Sequence, residues 1–422
     1  MQVELSTTTP SAEGSRGCRR NARRHAPQLL LFVAGAVLGL TVAVLRCLWQ
    51  DGVLGAGGGA RAAATNPSSS QLPHGGDTPS CPRLPLKPPA TLRASAPAWA
   101  AVAKALDGVD RALDGFARRN PGSGAQVAVT YRDQLLHQRA AGCARAAATG
   151  KGCLSTPAFN ESVWRLGSVT KVFTALMLMN QVDKGVVRLD DPLSKLVSGF
   201  TAAPGASLGS ICAQLGGLVR EVPLPCRADE SDCNYTTAQL LRSINAQGNL
   251  WPPDLRPSYS NLGFSLLGQA LTPASGGLTY QSWVEAHLLK PLGMHNSGFE
   301  LTNKTTARWL ASGTRAHHKP TRLGWADPNG GMHATASDMA SFLKFLGGGG
   351  GAAAGPSGGV LSAATMRKWF LPRYMQADGI SGFGLPWEIQ RAPTGWVLTK
   401  SVSALFCRAV QCCGTCACLL AC

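Results

Sequence analysis

Acidic residues are scarce in this chain: 23 Asp and Glu stand against 40 Lys and Arg in 422 residues, for a formal net charge of +17. The excess is mostly scattered arginine, and the central region lacks any Lys/Arg tract interleaved with aromatics. That absence excludes nucleic acid as the expected partner and leaves a general attraction to anionic surfaces. Metal chemistry is poorly provided for as well. Cys413-Gly414-Thr415-Cys416 has neither a second cysteine pair nor a histidine at ligand spacing, so no metal and no cofactor is expected. From Gly52 to Ala94 large apolar residues are few and Gly, Ala, Ser and Pro dominate, which reads as a tether over residues 50–95 and not as part of a core. What the chain does have is core material: at 45% hydrophobic residues it can build one large domain or two smaller ones.

The polar tail of residues 1–27 carries Arg16, Arg19, Arg20, Arg23 and Arg24, and an uninterrupted apolar run follows from Leu29 to Leu45. Extended by Cys47, Leu48 and Trp49, that run just suffices to cross a bilayer at about 1.5 Å per residue. Residues 28–49 are therefore expected to be a signal anchor in the lipid bilayer. The arginines keep the N-terminus cytoplasmic and place the rest on the lumenal or extracellular side. Two alternatives stand beside it. One is a cleaved signal peptide, with small residues near Ala56 to Ala60; the other is an Arg-rich organelle presequence, against which Glu4, Glu13 and the long apolar run speak. Three sequons beyond the span, at Asn160, Asn234 and Asn303, are expected glycosylation acceptors on that side. Cys143 and Cys153 flank a short Ala/Gly-rich segment, and Cys212, Cys226 and Cys233 fall in an irregular stretch. Oxidised pairing would staple such loops, buried free thiols are the alternative, and the connectivity is not readable from sequence.

The folded part opens with Trp99, Val102, Leu106, Val109, Leu113 and Phe116 at spacings of three and four, which predicts an amphipathic helix ended by Asn120-Pro121-Gly122. Val127, Val129 and Tyr131 then alternate with Ala128 and Thr130, predicting a strand that turns at Arg132-Asp133 into a second one. The chemistry sits in Gly167-Ser168-Val169-Thr170-Lys171 and the apolar run behind it. One helical turn stacks Lys171 above the Ser168 hydroxyl, burial favours the neutral amine, and a neutral amine can take the proton of a serine nucleophile. The pattern S-x-x-K is short, and Ser341-Phe342-Leu343-Lys344 matches it too, so context decides. Downstream stands Tyr259-Ser260-Asn261. Its phenol is suited to relay a proton, and its amide to hold Lys171 and a substrate carbonyl; the plainer reading is a packed tyrosine with Asn261 capping the helix from Leu262.

Four segments in order carry a specific resemblance: Gly167 to Lys171 with its apolar helix, Leu189-Asp190-Asp191-Pro192-Leu193, Pro257-Ser258-Tyr259-Ser260-Asn261-Leu262-Gly263, and Pro328-Asn329-Gly330-Gly331-Met332-His333 running on to Met339. Together they resemble the serine β-lactamase and penicillin-binding-protein superfamily, on its class C and esterase-like side, over roughly residues 96–400. The resemblance implies an α/β (α+β) fold of the β-lactamase/transpeptidase type, with an antiparallel sheet flanked by helices and an all-helical subdomain. It implies catalytic roles for Ser168, Lys171 and Tyr259, substrate-binding roles for Asn261, Lys400 and Ser401, and a small-molecule or peptide acyl substrate.

The chain also departs from that pattern. Ile211 to Leu218 lacks the histidine and serine that relatives carry there. Trp396 to Ser401 begins the substrate-side strand correctly, yet Val402 stands where glycine should allow close approach to an acyl group. His333, alone on its glycine turn, reads as a structural group, and Ser337 as the cap of a helix through Leu346. Residues 402–422 hold six cysteines in the final 16 positions and show neither strand nor helix period, so the C-terminal strands are expected to be missing or replaced and the hydrolase domain of 96–401 incomplete. A membrane-tethered serine hydrolase, an inactive binding or scaffold relative, and a truncated product are the three readings the sequence leaves. Oligomeric state is not legible.

Overall fold

The computed structural model describes residues 92, 99–146, 153–155, 162–222, 235–273, 276–300, 323–348, 359–392, 395–401, 408–411 and 418–421. The apolar span 28–49, the sequons at Asn160, Asn234 and Asn303, Val402 and residues 413–416 lie outside the described residues. So does the tether, apart from Leu92, whose N–H donates to Gln134 Oε1 at 2.9 Å. Among the described residues no helix is long and apolar enough to cross a membrane.

Helix α1 (Trp99–Arg119) forms where predicted, burying Val102, Ala105, Val109 and Leu113 on one stripe and placing Arg118 and Arg119 at its negative end. Strand β1 (Gly124–Tyr131) and β2 (Gln134–Gly142) make an antiparallel hairpin that turns through Arg132 at a φ of 56°. Nearly all of β1 is buried, because α1 packs on Val127 and Val129 while the helix at Ala336–Gly347 covers the other side. Beyond the hairpin, β3 (Arg145–Ala146) pairs with β4 (Cys153–Ser155), and a disulfide joins Cys143 to Cys153. Cys212, by contrast, is a buried free thiol.

From β5 (Val163–Arg165) the chain passes through a 3-10 turn at Gly167–Val169 into α2 (Thr170–Asp183), whose residues from Thr170 to Gln181 are all buried. Gly185, at a φ of 69°, lets the chain leave that helix. Helices α3 (Leu193–Leu196), α4 (Leu208–Cys212), α5 (Thr237–Gln247), α6 (Asn261–Leu271) and α7 (Tyr280–Val284) build the helical part around α2. A helical turn, α8 (Asp327–Gly330), and strand β6 (His333–Thr335) replace the flexible turn expected there. β6 pairs with β5, matching Arg165 to His333. Helix α9 (Ala336–Gly347) is capped by Thr335, not Ser337: the Thr335 side chain accepts from the Asp338 N–H.

After α10 (Ala363–Trp369), the strands β7 (Tyr374–Met375), β8 (Ser381–Phe383), β9 (Glu388–Ala392) and β10 (Gly395–Thr399) form an antiparallel sheet in the order β10-β9-β8-β7. Of the two outcomes expected for the C-terminal strands, missing or replaced, the structure shows the second. β11 (Arg408–Gln411) and β12 (Cys418–Ala421) form a hairpin, and β12 pairs antiparallel with β1 in the register Val127↔Leu419, so the replacement sequence covers the edge that would otherwise be open.

One close approach fixes the helical part. Gly268 on α6 lies against Pro328 of α8, where an added Cβ would come within 2.2 Å of the proline ring. In Gly268→Ala the helix-propensity gain of about 1 kcal/mol works against overpacking of about 1–3 kcal/mol, and a rigid ring gives way poorly. The expected result is a net loss of stability, read as a lower urea midpoint. An unchanged midpoint would show that α6 and α8 are free to separate.

Candidate active site

The glycine turn before α2 aims a serine at the gap between α2, α6 and α8. Gly167 takes a φ of 47°, and the turn is pinned by bonds from Leu166 N–H to Met332 O at 2.9 Å and from Val169 N–H to Leu166 O at 3.0 Å. Ser168 thus lies one turn before Lys171, whose Nζ donates to Ser168 Oγ at 3.2 Å, to Asn261 Oδ1 at 2.7 Å and to the Asn329 carbonyl at 2.7 Å. The Tyr259 hydroxyl meets the same Ser168 Oγ at 2.6 Å. The structure therefore brings together Ser168, Lys171, Tyr259 and Asn261, as the sequence predicted. The decoy does not assemble: Ser341 Oγ bonds back to Ser337 O at 3.4 Å on α9.

Each partner is held by its own support. Ser260, not Asn261, caps α6: its Oγ accepts from Gly263 N–H at 2.8 Å and donates to Val219 O at 2.7 Å. Asn261 is left free to face Lys171, and its amide orientation follows from the bond its Nδ2 gives to Glu221 Oε1 at 2.6 Å. Gln214 fastens this loop by accepting from the Ser258 and Ser260 N–H groups, and Arg220 O accepts from Asn261 N–H at 2.8 Å. On the far side, Thr174 Oγ1 donates to Pro328 O at 2.6 Å and Asn329 Nδ2 donates to Ser265 Oγ at 2.9 Å, which holds the Asn329 carbonyl over the amine.

Burial pushes Lys171 well below its ordinary lysine pKa, and the nearby charge of Lys400 adds to that, while Glu221 and Glu388 oppose it. In the neutral amine two N–H groups go to Asn261 and Asn329, both of which can only accept through those atoms, and the lone pair is left for the Ser168 hydroxyl. Around Tyr259 stand the Lys171 amine and two cations: Lys171 Nζ, Arg220 Cζ and Lys400 Nζ lie 5.0, 4.8 and 5.2 Å from its ring centroid.

Lys400 and Ser401 border the site but are engaged elsewhere. Lys400 Nζ pairs with Glu388 Oε1 at 2.7 Å, and Ser401 Oγ donates to Glu388 Oε2 at 2.9 Å. His333 takes no part in the constellation; burial and Arg165 lower its pKa to about 4. Sequence reasoning missed Asn329, Arg220, Glu221 and Glu388. Asn329 acts through its backbone carbonyl, which leaves no side-chain signature, although its segment was marked by the resemblance. The other three act through cross-chain neighbours that no local spacing reports.

A serine bonded to a buried lysine and a tyrosine, on a helical core beside antiparallel sheets, defines a protein of the β-lactamase/transpeptidase fold. The beta-lactamase family profile matches residues 109–410, and the chain belongs to that family. It is 31% identical over 261 residues to beta-lactamase-like protein 4 of Dictyostelium discoideum, covering 56% of this chain and 46% of that protein. It is 29% identical over 194 residues to the D-alanyl-D-alanine-carboxypeptidase/endopeptidase AmpH of Escherichia coli, covering 44% of this chain and 49% of the relative. Among solved structures, a beta-lactamase/D-alanine carboxypeptidase from Yersinia pestis shares the fold at a TM-score of 0.58 and 20% identity, over 74% of this chain and 90% of that one. The chain spans about half the length of the curated relatives it matches.

A lowered Lys171 pKa has a definite sign. Ser168 should react faster with a fluorophosphonate, which forms an O–P bond as fluoride leaves, as pH rises through the Lys171 pKa, levelling off well before the ordinary lysine value of 10.5. Lys171→Arg, which cannot deprotonate, should abolish that rise. A rate that climbs only near the ordinary value would mean the amine is charged at neutral pH.

Proposed function

We propose that the chain is a β-lactamase-like serine hydrolase that forms an acyl-enzyme on an ester, amide or peptide substrate. The observation that carries this reading is the saturation of Lys171: both N–H groups of its neutral amine are taken by acceptors, so its lone pair is directed to Ser168. In the first step Lys171 takes the hydroxyl proton as Ser168 Oγ bonds to the substrate carbonyl carbon. Tyr259, bonded to the same oxygen, passes a proton to the leaving group as its bond to carbon breaks. Water then attacks the ester, with the proton returning through the same groups, and frees the acid and the serine. The Ser168 N–H at the start of the helix is suited to bind the developing oxyanion. The relative's description as a carboxypeptidase/endopeptidase supports an acyl or peptide substrate; β-lactam hydrolysis is a family label and not the reaction proposed.

The membrane placement belongs to the same reading. The apolar run at 28–49 behind an arginine cluster supports a bilayer tether with the hydrolase on the lumenal or extracellular side, and the Cys143–Cys153 disulfide is in keeping with an oxidising compartment. One observation favours a silent relative instead: Val402 stands where the family strand has glycine.

A fluorophosphonate should label the wild-type protein on Ser168, and Ser168→Ala should lose the label with an unchanged thermal melt. Tyr259→Phe should slow turnover by about 10²–10⁴ if it relays the proton. A cooperatively melting wild-type protein that takes no label would overturn the hydrolase reading in favour of the silent one.

A further inference from the structure

We propose that Glu388 sets the substrate class of the site: it already occupies the ammonium and hydroxyl that a substrate carboxylate would use, so the site accepts acyl compounds that are neutral there and discriminates against carboxylates. The proposal rests on the reading of Ser168 as the acyl-accepting nucleophile. Its basis is the register of one ladder. Thr399 of β10 pairs with Glu388 of β9, which brings the Glu388 side chain beside the two residues that follow Thr399. One carboxylate oxygen accepts from Lys400 Nζ at 2.7 Å and the other from Ser401 Oγ at 2.9 Å, so neither donor meets the site unpaired.

Exposure decides which charge a substrate encounters. The Lys400 side chain is 2% exposed and that of Glu388 is 32% exposed, so the face turned to solvent is the carboxylate. The pair also borders the reacting atoms, since Lys400 Nζ lies 5.2 Å from the ring centroid of Tyr259, whose hydroxyl is 2.6 Å from Ser168 Oγ. A substrate carboxylate must either displace Glu388 or stand beside a like charge. An amide, an ester or a cation meets no such penalty, and a cation or N–H donor is received by the exposed carboxylate edge. The net charge of +17 draws anions toward the protein as a whole and Arg220 draws them to the site itself, so any discrimination against them has to come from Glu388.

The test uses two alkyl fluorophosphonates of equal size, one bearing a short carboxylate arm and the other the matching carboxamide. The rate of adduct formation on Ser168 is followed by intact mass. The wild-type protein should react at least about tenfold faster with the carboxamide, and Glu388→Gln should bring the two rates within about threefold. Should Glu388→Gln fail to fold because Lys400 is left buried without its partner, the double variant Lys400→Met/Glu388→Gln removes both charges and should narrow the ratio likewise. Equal rates in the wild type, a faster carboxylate, or a ratio that survives either folded variant would overturn the role of Glu388 while leaving the nucleophile intact. If neither reagent labels Ser168, the hydrolase reading falls and this proposal with it.

Discussion

The placement of one amine governs this molecule. Lys171 has no exposed surface, and an ammonium is costly to bury, so burial presses the group toward its neutral form. A neutral amine still needs acceptors for its hydrogens, and they come from two parts of the chain far from each other in sequence: Asn261 at the start of α6 and the carbonyl of Asn329 on α8. Much of the helical packing exists to hold those acceptors at hydrogen-bond distance. Gly268 lets α6 close on α8, Thr174 ties α8 to α2, and Ser260 takes over the cap so that Asn261 can turn inward.

Charge around the amine follows from the same constraint. Arg220 and Lys400 raise the local positive potential and discourage protonation of Lys171, while Glu221 and Glu388 limit that potential. The two carboxylates differ in what they hold. Glu221 fixes an amide and so orients a ligand of the amine; Glu388 ties up a second lysine and a serine at the end of β10. The first arrangement keeps the helical side of the site ready to react. The second leaves both of those donors paired at the sheet edge.

The sequence showed the parts that obey a short period. A step of three residues on a buried helix made Ser168 and Lys171 visible, and the same logic found α1, α2 and α6. Tyr259 and Asn261 were visible as a loop triplet, though not which of Ser260 and Asn261 capped the helix, because both are good caps and only packing chooses between them. β11 and β12 were not visible at all: strand pairing with β1 is a non-local choice, and a cysteine-rich tail without alternation gives no local sign of it. Glu388 was hidden for a similar reason, since only the register of β9 against β10 places it beside Lys400.

Membership in the family and retention of its chemistry are separate matters here, because the two sides of the site come from different stretches of chain. The side built from α2, α6 and α8 has every hydrogen bond the amine requires, and its parts depend on one another: losing Asn329 or Asn261 would strand a buried N–H and shift the lysine toward water. The side built from β9 and β10 is held by its own salt bridge of Glu388 with Lys400, and it reaches the first side through charge: Lys400 discourages protonation of Lys171 and Glu388 favours it. The geometry of Ser168, Lys171 and Tyr259 stands intact beside a sheet edge whose lysine and serine are held by a neighbouring carboxylate. One fold can serve different substrates in this way, because groups at the sheet edge can differ while the serine and its amine keep their partners.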